Sequence, residues 1–196
     1  MKSAERRNNK ETMKLLIVDL EATCWMGEPE KSRIESEIIE IGAVLYNTEE
    51  KVVFGEFQSF VQPERNLILS PFCNKLTSIV QSQVDSAKGF KNVFKAFKSF
   101  WEYAGDFCTW CSWGDYDKNQ LRKDCEFHDI DFFYGSMHVN MKKVFNRQYG
   151  KKKGVKTALE MLGLEFEGNH HRAIDDSRMV ARICEHIDDK HIKEYI

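Results

Sequence analysis

Proline is scarce, with three in 196 residues, and no apolar run approaches the roughly 20 residues that a bilayer-spanning helix needs. The first scarcity argues against a disordered chain and the second against a transmembrane helix. Net charge is nearly absent as well: 29 Lys and Arg against 31 Asp and Glu leave a formal −2. That balance excludes a basic nucleic-acid coat and a polybasic membrane binder. It leaves open an enzyme that grips one end of a nucleic acid through metal ions rather than through lysines. Internal repeats and low-complexity tracts are missing too. No signal-peptide pattern opens the chain, because Met1–Thr12 is polar and charged. The expected setting is therefore cytoplasmic and reducing, with the six cysteines as free thiols or ligands.

What is present suffices for a core. Hydrophobic residues make up 42% and aromatics 12%, and the length suits one domain. Residues 1–12 (MKSAERRNNKET) have no periodicity and read as a flexible leader before a single domain over 13–196. The continuous apolar run KLLIVDL (14–20) predicts a strand buried on both faces, central in a sheet. IIEIGAVLY (38–46) and KVVFGEFQSFV (51–61), separated by a turn-like Asn47–Glu50, predict a hairpin. Phe90, Val93, Phe94, Phe97, Phe100 and Trp101 recur at three- and four-residue steps, with Lys91, Lys95 and Lys98 opposite, and predict a helix over 90–104. Further elements are expected as helices at 71–79, 117–127 and 142–149 and strands at 107–113 and 137–140. Thr157 and Glu160 have capping-box spacing and should start a helix ending near Gly163. A last helix should run from about Ile174 to Asp188. Strands followed by mixed helices and strands indicate an α/β fold.

The acids carry the chemistry. Asp19 and Glu21 lie two apart at the end of the central strand, so both point to one face. Two carboxylates there repel each other and resist burial unless a cation neutralises them; a solvated strand end is the plainer alternative. Asp117 follows a later strand and Gly114, where an Asp is ordinarily a helix N-cap, and Asp115 competes for that place. Asp176 falls in the first turn of the last helix, beside Asp175, where the helix dipole favours negative charge. His171 precedes Asp176 by five residues. Taken together these are Asp-x-Glu on a first strand, an Asp after a later strand, and His-x-x-x-x-Asp leading a last helix. Oxygen ligands without thiolates suit Mg²⁺ or Mn²⁺. Four carboxylates and one base are what two-metal phosphodiester hydrolysis requires.

These residues resemble the DEDDh family of 3′→5′ exonucleases, and within it the Eri-type exoribonucleases, which include the histone-mRNA 3′ exonuclease. The likeness rests on DLEATCW (19–25), EIIEIGAVLY (37–46), QPE (62–64), FCNKLTSIVQSQVD (72–85), SWGDYDKNQL (112–121) and HRAIDDSRMVARI (171–183), in that order. The H-x-A-x-x-D form selects His171 over His170 and Asp176 over Asp175. The resemblance implies an RNase H-like fold, a five-stranded mixed sheet flanked by helices with its second strand antiparallel. It implies that Asp19, Glu21 and Asp176 hold one metal ion, that Asp19 bridges to a second and that Asp117 helps through water. His171 would be the general base. It also implies that the backbone of Ala22, Thr23, Cys24 and Trp25 seats the 3′-terminal nucleotide, and that Leu76 and Thr77 wedge its base. The implied partner is the single-stranded 3′ end of RNA, with DNA as the alternative substrate, no membrane and no small-molecule cofactor. A less favoured reading is a nucleic-acid-binding module that has lost activity, although every catalytic position is filled.

The departures are informative. Histone-mRNA exonucleases carry an extra nucleic-acid-binding module before the nuclease, and the residues before 13 are too few for one. Stem-loop specificity is therefore not expected. Lys151–Lys153 and Lys156 form the best basic cluster for steering phosphates, or else a solvated loop. Cys108-x-x-Cys111 and Cys125-x-x-His128 have zinc-like spacing. On a strand, however, Cys108 and Cys111 face opposite sides, so buried free thiols are the expectation.

Overall fold

The computed structural model of the chain describes residues 12–28, 30–31, 35–105, 108–132, 138–151 and 153–196. Apart from Thr12, the leader lies outside the described residues. Strand β1 (Lys14–Ala22) is buried along its length except at Lys14 and Asp19, as its apolar run requires of a central strand. Strand β2 (Ile38–Asn47) pairs antiparallel with it, and β3 (Val52–Gln62) pairs antiparallel with β2. On the other side β5 (Cys108–Ser112) lies parallel to β1, and β6 (Val139–Asn140) parallel to β5. A two-residue β4 (Lys88–Gly89) joins the end of β3, giving the order β4-β3-β2-β1-β5-β6. The mixed sheet and the antiparallel second strand agree with expectation. The strands number six rather than five because β4 extends the edge by two residues, too few to leave a periodic signal.

Eight helices can be described: α1 (Pro71–Thr77), α2 (Gln81–Asp85), α3 (Phe90–Tyr103), α4 (Tyr116–Phe127), α5 (Met141–Tyr149), α6 (Val155–Met161), α7 (Ala173–Cys184) and α8 (Asp189–Lys193). They cover both faces of the sheet. Leu15, Ile17 and Cys111 pack with α5, α6, α7 and α8, whereas Leu16, Val18, Leu20, Cys108 and Trp110 pack with α3 and α4. Helix α3 buries Phe90, Val93, Phe94 and Phe97, the stripe its spacing predicted; truncating a buried Phe of this kind costs about 3–5 kcal/mol. Cys108 and Cys111 belong to different cores, on opposite faces, and so cannot share a metal ion. Among the described residues no helix is long and apolar enough to cross a membrane.

The position of α7 decides the site. A β-carbon on Gly42 of β2 would overlap the backbone of Ala173 and Ile174, so the first turn of α7 rests directly on the strand. Ser177 donates its hydroxyl to the Gly42 carbonyl at 3.0 Å. The capping-box reading of Thr157 and Glu160 is corrected. Helix α6 starts at Val155 after Gly154, with no side-chain cap, because Val155 itself is drawn into the core. The last helix is also shorter than its pattern suggested: α7 stops at Cys184 and α8 follows as a separate turn.

Candidate active site

Asp19 and Glu21 continue the odd-numbered face of β1, the face on which α7 lies, so strand geometry aims both acids at the start of that helix. Asp176 is the fourth residue of α7. Asp19, Glu21 and Asp176 each offer an oxygen atom within 4.8 Å of the others. They line a cavity of about 320 Å³ together with Asp117, His170 and His171. Asp117 comes from α4, which β5 delivers after a turn at Gly114 (φ 139°). Its Oδ1 accepts the Leu20 N–H at 3.2 Å, tying α4 to β1 between the two strand acids. Asp115 is the N-cap residue, and its ion pairs run to Lys118 and Lys143 at 3.8 and 3.3 Å.

The carboxyl groups disturb one another. Burial, and then the charges of Asp117, Glu21 and Asp176, hold the Asp19 pKa well above the usual range. Burial, and then Asp176 and Glu40, do the same to Glu21. Asp117 is pushed up to about 6 by burial, against the pull of hydrogen bonds from Ser112 and Leu20. Asp176 is also raised by burial, opposed by His170 and by the His171 N–H, which donates to its Oδ2 at 2.7 Å. Four such groups cannot ionise together without a positive counter-charge. All donors are hard oxygens, so the set fits a divalent cation of the magnesium class and not a thiolate-seeking one.

His171 stands at the cavity with φ 66°, a left-handed conformation uncommon outside glycine. Its pKa is lowered, first by burial and then by His170. The ring is therefore neutral near pH 7 and able to accept a proton. The His170 ring meets it edge-on at 4.0 Å between centroids, and His170 Nε2 lies 3.8 Å from Asp176 Oδ1.

The structure divides the expected nucleotide-binding residues. Ala22, Cys24 and Leu76 line the cavity. Thr23 and Thr77 are buried and use their hydroxyls internally: Thr23 accepts the Glu37 N–H at 2.9 Å, and Thr77 donates to the Cys73 carbonyl at 2.9 Å. Trp25 is outside the cavity wall, with Lys31 Nζ 4.6 Å from its ring. Of the basic cluster, Lys152 is outside the described residues. The Lys153 carbonyl accepts the Trp113 indole N–H at 2.8 Å, and both Trp113 and Val155 line the cavity, which brings that loop to its rim.

Two contributors were missed. Tyr116 lines the cavity beside Asp117 with more than half its surface exposed, while its hydroxyl sits near Asp117, Glu21 and Cys24 and is held protonated first by burial. The aromatic residue directly before Asp117 was the available signal. Glu40, fully buried, accepts Arg172 Nε at 3.0 Å, Arg172 Nη2 at 3.1 Å and the Ala173 N–H at 3.2 Å. It thus caps α7 from the strand position opposite Glu21. Nothing local in the sequence signals a pair 132 residues apart.

A mixed sheet whose central strand, fourth helix and seventh helix converge four acids and a histidine on one cavity defines a nuclease domain of the RNase H-like class. The sequence model of the RNase T exonuclease family matches residues 16–184, and the chain belongs to that family. It is 31% identical over 195 residues to ERI1 exoribonuclease 2 of Xenopus laevis, across 87% of this chain and 28% of that protein. It is 33% identical over 181 residues to human 3′-5′ exoribonuclease 1, across 87% of this chain and 51% of that protein. The chain thus spans from somewhat over a quarter to about half the length of these relatives. The crystal structure of the nuclease domain of 3′hExo, a DEDDh family member bound to rAMP, superposes with a TM-score of 0.84 at 30% identity, covering 90% of this chain and 92% of that one.

Proposed function

We propose that the chain is a 3′→5′ exoribonuclease that removes 5′-nucleotides from single-stranded RNA ends with two Mg²⁺ or Mn²⁺ ions. The observation that carries the reading is the convergence of Asp19, Glu21 and Asp176 within 4.8 Å inside a cavity that His171 borders. Asp19, Glu21 and Asp176 would hold one ion, and Asp19 with Asp117 the other. Divalent ions, when bound, lower the pKa of water and steady charge on the departing oxygen.

The chain's own residues do the rest. His171 takes a proton from the attacking water at an imidazole nitrogen, the role for which its neutral form is suited. The left-handed backbone at His171 and the N–H bond to Asp176 fix that ring relative to the acids. Ala22, Cys24 and Leu76 offer an apolar wall to the terminal base, and the exposed face of Tyr116 offers a stacking surface. Lys151, Lys153 and Lys156, in and after the loop that Trp113 ties to the rim, would attract the phosphates upstream. The ribose preference is supported by the relatives named as exoribonucleases and by the 3′hExo nuclease domain's complex with rAMP. An intracellular, reducing setting goes with this reading and suits six unpaired cysteines.

Linear and circular forms of one unstructured RNA test the polarity, with the products separated by chromatography. The expected result is shortening of the linear RNA to 5′-monophosphates and an intact circle. Cleavage of the circle, or release of 3′-monophosphates, would overturn the proposal.

A further inference from the structure

Two cysteines share one wall of the acidic cavity. Cys24, three residues past Glu21, lines the cavity and is half-buried. Cys73, in α1, is fully buried and packs in the same small apolar cluster. Cys24 packs against that cluster, so the two cysteines share one small apolar region of the wall. The Cys73 thiol in turn lies 3.7 Å from the Ala22 carbonyl, to which it donates. Ser70 holds the two segments in this arrangement. Its hydroxyl donates to the Cys24 carbonyl at 2.6 Å and accepts the Cys73 N–H at 3.0 Å. The remaining thiols, Cys108, Cys111, Cys125 and Cys184, are buried in the two large cores.

We propose that Cys24 and Cys73 form an oxidisable dithiol, a modification site for small peroxides, whose disulfide joins the two walls of the cavity and weakens substrate binding. Of the pair, Cys73 has its pKa lowered to about 7 and Cys24 has its pKa raised, so the thiolate comes from Cys73. With hydrogen peroxide as oxidant, a thiolate attacks one oxygen, the O–O bond breaks, and a sulfenic acid and one water result. The other thiol then attacks the sulfenic sulfur, the S–S bond forms, the S–O bond breaks, and a second water leaves. Two thiols lose two electrons and two protons, and one peroxide becomes two waters.

The consequence for turnover rests on the exonuclease reading; formation of the bond does not. Ala22 and Cys24 belong to the wall that continues β1, and Leu76 to the wall made by α1. A disulfide ties the two segments together and fixes the separation of these walls where the terminal base would lodge. A displacement of this kind is expected to lower kcat/KM on the order of tenfold, carried by KM.

The test treats the purified chain with hydrogen peroxide, alkylates free thiols with iodoacetamide and maps the peptides by mass spectrometry. KM and kcat are measured on RNA before and after dithiothreitol. The expected result is a Cys24–Cys73 linked peptide and a rise in KM that dithiothreitol reverses. Cys73→Ser, compared with its own reduced form, should show neither change. Absence of the linked peptide, oxidation of Cys24 alone, or a link that leaves KM unchanged would overturn the proposal. If the reduced protein degrades no RNA, the exonuclease reading fails, and the linked peptide still decides whether the dithiol exists.

Discussion

Replacing Asp117 by Asn removes one negative charge from the cavity while keeping an oxygen for the Leu20 N–H. Burial, the largest cause, raises the carboxyl from 3.8 to about 6. In the metal-free protein the folded state therefore binds that proton more tightly than the unfolded chain does. The resulting stability is fully present below about pH 4 and is lost as the pH rises through about 6. The rise corresponds to about 3 kcal/mol once the group is ionised. The amide of the Asp117→Asn variant cannot ionise and escapes that loss. The expectation near pH 7.5, with chelator, is a gain of about 3 kcal/mol, or roughly 6–12 °C in Tm for a chain of this length. Near pH 4 the gain should vanish. Thermal unfolding followed by circular dichroism at the two pH values measures both. A variant no more stable than the parent near neutrality, or a gain that ignores pH, would refute the claim that burial of the Asp117 carboxylate destabilises the metal-free fold.

Three further outcomes are expected. His171→Ala should lower kcat by on the order of 10²–10⁴ and flatten its pH profile while leaving Mn²⁺ affinity within a few-fold, measured by calorimetry; a large loss of affinity would make His171 a ligand instead. Glu37 is buried, which raises its pKa, but the N–H groups of Arg65, Glu64 and Asn66 outweigh that and hold it below 4.5. Its contribution is present above about pH 4.5 and is lost as the pH falls through the lower folded value. Glu37→Gln should therefore cost about 2–3 kcal/mol in urea unfolding at neutral pH and little in strong acid, and an equal cost at both would contradict this. Gly42→Ala should push α7 off β2, costing about 2–3 kcal/mol and depressing activity at temperatures where the protein remains folded; retained stability and activity would show that the helix is not seated there.

Much of this was legible in the chain because the decisive signals were local. A continuous apolar run marked β1, two-residue spacing placed Asp19 and Glu21 on one face, and the phenylalanine stripe marked α3. Of the adjacent acids in HRAIDD, Asp176 lines the cavity and Asp175 does not, whereas His170 and His171 both line it. What escaped was set by tertiary contact. The Glu40–Arg172 pair and the seat of Ala173 on Gly42 join distant segments. Helix α6 begins where Val155 meets the core rather than where a capping pattern suggested. Thr23 and Thr77 sit inside the wall rather than on it, because their hydroxyls are needed by neighbouring backbone.

The most direct test of the account is digestion of matched 5′-labelled single-stranded RNA and DNA by the parent chain and by Asp19→Asn, each with Mg²⁺, with Mn²⁺ and with chelator. The account predicts a ladder shortening from the 3′ end, faster on RNA, that requires a divalent ion and disappears in the variant. Digestion that survives chelator, or that persists near the parent rate in Asp19→Asn, would contradict it.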